Sequence, residues 1–193
     1  MNYANSFTNG FTWSVALLIG NSCKKENNNN NDELPPLTFE GKNTIGCKIN
    51  GDPWVPIGMV NGSGVVYPTS GGYFETAFFP GVHILIETNS PDGYIELFCR
   101  NYSGIGYLPS QKYLLNKNTG DIHFGTGQIH NYGYYHTNGQ TYFTDSLHNG
   151  WIEILKSDSI NKIISGRFEF EGYNSTDGKV YKITEGRFDY KNH

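Results

Sequence analysis

Three of the six histidines lie in one unusual stretch, DIHFGTGQIHNYGYYHTNGQTYF, at residues 121–143. They are His123, His130 and His136, and with Asp121 they offer imidazole and carboxylate groups, which suit zinc or a similar ion. Their spacings of seven and six residues match no compact ligand motif such as HExxH. They are therefore weak metal candidates, and the sequence predicts neither a metal nor another cofactor.

The same stretch concentrates aromatic side chains whose flat rings and polar edges could hold a ligand. Such rings, carried on an exposed loop, can stack on sugars or peptides. The residues concerned are Tyr132, Tyr134, Tyr135, His136 and Tyr142. The alternative is that these rings pack within a sheet, because aromatic residues make up 15% of the whole chain. Both interpretations stay open from the sequence.

A pair of neighbouring carboxylates is a further possible source of chemistry. Glycoside hydrolysis needs two carboxylates across a cleft, and Glu169 and Glu171 are close in sequence. They alternate with Phe168 and Phe170, however, which is typical of the solvated face of a strand. The motifs GxSxG, GxxxxGK[ST], CxxC and HExxH are all absent from the sequence. No catalytic residue is predicted.

The composition indicates an all-β protein that does not bind nucleic acid. The chain has 24 glycines and many aromatic residues, and only 17% of its residues are charged, which favours strands and tight turns over helices. Its formal net charge is -4, and its 14 Lys and Arg residues are scattered rather than gathered into a basic stripe. A nucleic-acid partner is therefore not expected.

The start of the chain has the order of features found in an exported lipoprotein. FTWSVALLIG, at residues 11–20, is too short to cross a bilayer as a helix but suits the apolar core of a signal peptide. Small residues then precede Cys23, and this arrangement resembles a lipobox. We therefore predict a signal peptide over residues 1–22 and the attachment of lipid, with palmitate among its acyl chains, at Cys23. Residues 23–40, which are rich in asparagine, are predicted to form a disordered tether.

The two remaining cysteines are predicted to point into the core. Cys47 shares a strand face with Ile45 and Ile49, and Cys99 shares one with Ile95 and Leu97. An oxidising compartment permits a disulfide between them. Two buried thiols that act as small apolar side chains would leave the same pattern, so the choice stays open.

The body of the chain, residues 41–193, is predicted to be a single β-domain of about ten short strands. The clearest hairpins join residues 82–89 to 94–101 and residues 162–173 to 179–190, each through a turn rich in Asp, Asn, Ser and Gly. Further strands are expected at residues 44–50, 64–67, 73–79, 112–115, 122–124, 140–144 and 151–156. An antiparallel β-sandwich and a closed antiparallel barrel both fit this pattern.

The final hairpin carries an irregularity that the sequence locates. Tyr181 and Ile183 are out of phase with Phe188 and Tyr190 in a two-residue repeat. One extra residue at Glu185-Gly186 restores the phase, because a β-bulge lets two residues face one and glycine accepts the backbone angles required. We predict a bulge at this point.

Both ends of the folded region resemble an uncharacterised family of Bacteroidetes lipoproteins. The motifs that carry the resemblance are GKNTIGCKINGDPW near the start of the domain and ISGRFEF with ITEGRFD near its end. The resemblance implies an exported, lipid-anchored β-domain in the outer membrane, facing the periplasm or the cell surface. It supplies no catalytic residues.

From these observations we expect a membrane-anchored lipoprotein whose β-domain is a binding or interaction module, and which is not an enzyme. Its expected partners are the membrane, through the N-terminal lipid, and a glycan or an envelope protein. The alternatives are a polysaccharide-active hydrolase and a structural component of the envelope.

Overall fold

The computed structural model describes residues 34–57, 59–61, 64–66, 69–76, 79–88, 90–100, 108–117 and 131–191. The predicted signal peptide, Cys23, the strand at residues 122–124, His123 and His130 lie outside these residues. The described strands, in chain order, are β1 (Thr44–Ile49), β2 (Asp52–Trp54), β3 (Met59–Asn61), β4 (Gly64–Val66), β5 (Thr69–Thr76), β6 (Phe79–Thr88), β7 (Tyr94–Arg100), β8 (Lys112–Leu115), β9 (Tyr132–Thr137), β10 (Gln140–Phe143), β11 (Gly150–Asp158), β12 (Ile163–Tyr173) and β13 (Val180–Lys191).

One antiparallel sheet contains eleven of these strands, while β3 and β4 form a separate hairpin. The main path runs β2-β1-β13-β12-β10-β9-β7-β6-β5. β11 pairs with β12 along residues 163–170, and β10 pairs with the same strand further on, at Tyr173. The sheet therefore divides at β12, which lets its two arms cover one core.

The sheet is open, since its path ends at β2 and β5, which do not pair with each other among the described residues. The architecture is all-β, without a helix in the described part of the chain, and fits a β-sandwich. The sequence-based expectation of an all-β fold is confirmed. The alternative of a closed barrel is wrong, because the sheet does not close and β12 pairs along one edge with two different strands, β11 and β10.

The core is made of aliphatic and aromatic side chains from both arms of the sheet. Its fully buried members include Ile95 and Leu97 of β7, Ile152 of β11, Phe168 of β12 and Ile183 of β13. Burying a side chain of this size contributes about 2 kcal/mol relative to leaving it in water. These residues hold β7, and with it the neighbouring strands β9 and β10, in a fixed position.

Both predicted hairpins are present. β6 pairs with β7 around the turn at residues 90–93, and β12 pairs with β13 around residues 174–179. On β12 the residues Ile164, Gly166, Phe168 and Phe170 are buried, whereas Arg167 is exposed and Glu169 is half-buried. The predicted alternation of faces is therefore confirmed.

The predicted bulge lies on β13, but glycine has a different role from the one expected. Phe168 pairs with Gly186 and Phe170 with Ile183, so β13 has one residue more than β12 between these pairs. The left-handed backbone angle belongs to Glu185, with φ of 52°. Gly186 is needed for space, because a Cβ there would lie 2.5 Å from the Phe168 carbonyl oxygen.

The segment before β1 is docked on the domain by one buried carboxylate. Asp189, 1% exposed, accepts hydrogen bonds from the Thr38 hydroxyl and the Ser165 hydroxyl, at 2.5 and 2.6 Å. It also accepts three from the backbone N–H groups of residues 40, 41 and 42. Leu34 is buried as well. Residues 34–40, which the sequence assigns to the tether, are thus packed against the domain.

Both core cysteines are buried, as their strand positions predict. Cys47 and Cys99 are free thiols with no exposed surface, so the structure contains no disulfide between them. Burial raises the pKa of each thiol far above its usual value. They act as small apolar side chains in the core.

Candidate functional site

The face of β7, β9 and β10 that points away from the core carries a run of aromatic side chains, of which Phe98 and Tyr132 are buried and the others half-buried. Strand register sets Tyr94 opposite His136 and Phe98 opposite Tyr132. β10 continues the same face, because Tyr134 is opposite Phe143. Side chains at directly opposed positions project to the same side of a sheet. We call these six residues, together with Glu96 and Thr141, the aromatic face.

The rings of this face pack on one another in a continuous order. Tyr94 stacks on His136 with centroids 4.7 Å apart and an angle of 20° between the ring planes. Tyr94 also meets the edge of Tyr134 at 5.8 Å, and Tyr132 stacks parallel to Tyr134 at 6.2 Å. Such contacts hold each ring in one orientation. The aromatic face is therefore preorganised, with Tyr94, Tyr134 and His136 half-buried.

Glu96 fixes the centre of the aromatic face. One carboxylate oxygen accepts a hydrogen bond from the Tyr132 hydroxyl and the other accepts one from the Tyr134 hydroxyl, each at 2.6 Å. Burial and the hydrogen bond to this carboxylate raise the pKa of Tyr134 far above the usual value for tyrosine. The Tyr134 hydroxyl therefore stays protonated and acts as a donor to Glu96.

A cleft of about 680 Å³ opens beside the Tyr94 and His136 stack. Its walls are two hairpin turns, at residues 90–93 and 138–139. The turns are held close together: the Thr137 hydroxyl donates a hydrogen bond of 2.9 Å to the Asp92 carbonyl. At Gly93, φ is 145° and a Cβ would lie 2.3 Å from the His136 carbonyl, so only glycine fits.

The cleft lies at the end of the domain opposite to the docked N-terminal segment. The turn at residues 174–178 is at the cleft end, since Asn174 Nδ2 donates to the Thr141 carbonyl at 2.9 Å. β13 starts after this turn and runs to Asp189, which binds the N-terminal segment. Asp189 lies nine positions after Val180 on this strand, a distance of about 30 Å.

The five aromatic residues singled out from the sequence are divided between the two faces. All five lie on strands, β9 or β10, and not on an exposed loop. Tyr132, Tyr134 and His136 belong to the aromatic face, whereas Tyr135 and Tyr142 project to the core side, and Tyr135 also borders the cleft. Exposure does not separate the two groups, because Tyr132 is as buried as Tyr135. Neighbours in a strand point to opposite faces, so the alternative of packing within the sheet holds for Tyr135 and Tyr142.

The core-side tyrosines form a second cluster with Tyr181. Its ring centroid is 5.2 Å from that of Tyr135 and 4.5 Å from that of Tyr142. The Tyr142 hydroxyl donates a hydrogen bond of 2.8 Å to Asp177, and burial together with this bond raises the pKa of Tyr142 to about 12. These contacts pin the turn at residues 174–178 to β10, which supports one side of the cleft end.

The metal candidates are only partly covered by the structure. His123 and His130 lie outside the described residues. His136 Nδ1 is 2.8 Å from the Thr141 hydroxyl oxygen and the His136 ring is stacked on Tyr94. Within the described ranges, no group of three or more His, Cys, Asp or Glu residues is placed to hold a metal ion.

Glu169 and Glu171 lie on the outer face of β12, as predicted. Glu171 forms an ion pair of 3.2 Å with Lys182, and Glu169 accepts a hydrogen bond of 3.3 Å from the backbone of Glu185. Both border a shallow cleft of about 420 Å³ beside Trp151. Each carboxylate is thus engaged with a neighbour on β13, and this arrangement stabilises the sheet.

Sequence reasoning missed several members of the aromatic face. Tyr94, Glu96 and Phe98 are on β7, remote in sequence from β9, and only the pairing of β7 with β9 brings them together. The alternation of Tyr94, Glu96 and Phe98 with buried Ile95 and Leu97 was the one available signal.

Comparison with known proteins identifies one matching domain, to which no activity is assigned. Residues 112–190, from the start of β8 to the last residue but one of β13, match the model of a domain of unknown function, DUF6252. This match includes β9, β10 and β12 and excludes β7. No curated protein and no solved structure matches the chain. In the part of the chain that is described, no helix is long and apolar enough to cross a membrane.

Proposed function

We propose that the protein is an exported lipoprotein, anchored in the outer membrane through Cys23, whose β-domain binds a ligand at the aromatic face. The observation that carries this proposal is the stacked Tyr94 and His136 pair, which forms the side of a cleft bounded by two short turns. Flat rings held in a fixed orientation beside a cleft are suited to binding, because little conformational entropy is lost on contact.

The N-terminal segment is docked away from the proposed binding cleft. Residues 38–42 are bound to Asp189, at the end remote from the cleft. A lipid on Cys23 would tether the domain through this segment, which leaves the cleft open to a ligand in solution or on an opposing surface.

Replacement of Cys23 by Ala tests the anchor. Cells that make the wild-type chain are expected to incorporate labelled palmitate into it and to retain it in the membrane fraction. The Cys23→Ala chain is expected to lose both the label and the membrane association, whereas Cys47→Ala, which changes a buried thiol, should keep them. Unchanged labelling of Cys23→Ala would contradict the lipid anchor.

Replacement of Tyr94 by Ala tests the binding face. The detergent-solubilised full chain is applied to arrays of glycans and of peptides, and the affinity for each retained probe is then measured by calorimetry. Tyr94→Ala is expected to weaken binding about tenfold, which is the size of one stacking contact. A thermal melt of each variant checks that the fold is intact.

A matched control is available on another surface. Trp151 lies on β11, half-buried, with Lys112 Nζ 3.9 Å from its ring centroid, and it does not border the cleft. Trp151→Ala should leave the affinity unchanged. The proposed binding face is wrong if Trp151→Ala weakens binding and Tyr94→Ala does not, or if no probe of either class is retained.

A further inference from the structure

We propose that the ligand is a neutral, linear oligosaccharide that crosses β7, β9, β10 and the end of β12, and so occupies two clefts at once. This inference rests on the proposed function and adds to it the class of ligand and a second subsite. The second subsite is a cleft of about 310 Å³ next to Tyr173, at the start of the turn after β12.

The second cleft repeats the arrangement of the first. Tyr173 borders it, and the Tyr173 ring is stacked on His148, with centroids 4.5 Å apart and planes at 15°. His148 is held in turn by Asp145, whose carboxylate oxygens are each 3.2 Å from Nδ1. Each cleft therefore contains a tyrosine whose orientation is fixed by a histidine.

The two clefts belong to one surface. Phe143 and Thr141 border the second cleft and also touch the aromatic face: the Phe143 ring is 5.3 Å from that of Tyr134, and the Thr141 hydroxyl bonds His136. From β7 to β12 the surface spans three strand spacings, about 14 Å in all. An extended chain of several sugar rings fits this length, whereas a monosaccharide would reach one cleft only.

The charge of the two clefts favours a neutral ligand. Among the described residues that line them, none is Lys or Arg, and two are aspartates, Asp92 and Asp145. A uronate, a sulfate or a phosphate would meet these carboxylates without a cation to pair with. The remaining polar side chains are amides and hydroxyls, among them Asn138, Asn174 and Thr176, together with the imidazole of His136. These groups match sugar hydroxyls, while the rings match the apolar faces of sugars.

The test compares short and long probes on the detergent-solubilised full chain. The probes are disaccharides and hexasaccharides of glucose, mannose and xylose, with oligogalacturonate as the anionic counterpart. We expect a hexasaccharide to bind more tightly than its disaccharide. Tyr173→Ala should lower the affinity for the hexasaccharide about tenfold and leave the affinity for the disaccharide unchanged. Tyr94→Ala should lower the affinity for both.

A second variant keeps the test valid if Tyr173→Ala disturbs the end of β12. Thr176 has an exposed side chain at the rim of the second cleft, so Thr176→Trp should obstruct this cleft without changing the core. It is expected to lower the affinity for the hexasaccharide only. Tyr173→Phe, which keeps the ring, should retain the wild-type affinity.

The results separate the two proposals. Equal affinity for short and long probes, or no effect of Tyr173→Ala and Thr176→Trp, would overturn the second subsite. Binding of oligogalacturonate or of peptides alone, lost in Tyr94→Ala, would overturn the neutral saccharide and leave the binding function standing. If no probe is retained by the wild-type chain, the proposed function itself fails.

Discussion

Replacement of Asp189 by Asn is expected to lower the free energy of unfolding by about 3 kcal/mol, a large share of the roughly 5–15 kcal/mol typical of a domain. Oδ1 of Asp189 accepts hydrogen bonds from Gly41 N–H and the Ser165 hydroxyl. Oδ2 accepts from the Thr38 hydroxyl and two backbone N–H groups. An amide nitrogen in either position would face donors and leave them buried without an acceptor.

Chemical denaturation measures this loss, and two variants calibrate it. Ser165→Ala removes one donor and should cost about 1 kcal/mol, while Asp52→Asn, at an exposed position, should cost almost nothing. Trypsin gives a local readout, because cleavage after Lys42 should accelerate in Asp189→Asn as residues 38–42 are released. Equal stabilities of Asp189→Asn and Asp52→Asn would contradict the role of this carboxylate.

The same carboxylate makes stability depend on acid pH. Burial alone would raise the pKa of Asp189, but the hydrogen bonds from Ser165, Thr38 and the backbone outweigh it and lower the pKa below its usual value. A lowered pKa stabilises the fold above the unfolded value of about 3.9. This stabilisation is lost as the pH falls through the folded pKa, so the wild-type and Asp189→Asn stabilities should converge in acid.

Replacement of Gly186 by Ala is expected to destabilise the domain by about 3 kcal/mol through overpacking. The new Cβ would lie 2.5 Å from the Phe168 carbonyl oxygen and 2.7 Å from its ring, and Phe168 is completely buried. Neither group can move without disturbing the pairing of β12 with β13, so the strain cannot be relieved locally.

Gly178→Ala is the matched control for this variant. Gly178 has φ of 68°, but nothing lies within 4 Å of the position that a Cβ would take there. Ala at this position therefore costs only the left-handed backbone, about 1 kcal/mol. Thermal and chemical denaturation should rank Gly186→Ala well below Gly178→Ala in stability. The reverse order would show that the close approach at Phe168 does not limit this site.

The sequence predicts the last hairpin well because its information is local. The alternation along β12 and the change of phase near Glu185 both lie within one hairpin, and the turn residues join the two strands directly. What the local pattern cannot give is which residue takes the left-handed angle. The close approach to Phe168 leaves room only for glycine at position 186, and the left-handed backbone angle is then taken by Glu185.

The aromatic face and the docked segment depend on contacts between distant parts of the chain. Glu96 and Tyr134 are 38 residues apart, and Thr38 and Asp189 are 151 residues apart. A two-residue repeat shows that Tyr134 and Tyr135 point to opposite faces, but it does not show which face is covered. The register of β7 against β9 decides that point, and it is set by the whole sheet.

The cleft end of the aromatic face is the proposed binding site, and hydrogen exchange tests it most directly. The full chain is compared with and without a hexasaccharide that the array retains. We predict slower exchange at the turns of residues 90–93, 138–139 and 174–178, with no change near Trp151. Slower exchange confined to β11 and the face around Trp151, or unchanged exchange at all three turns with the ligand bound, would contradict ligand binding at this end of the domain.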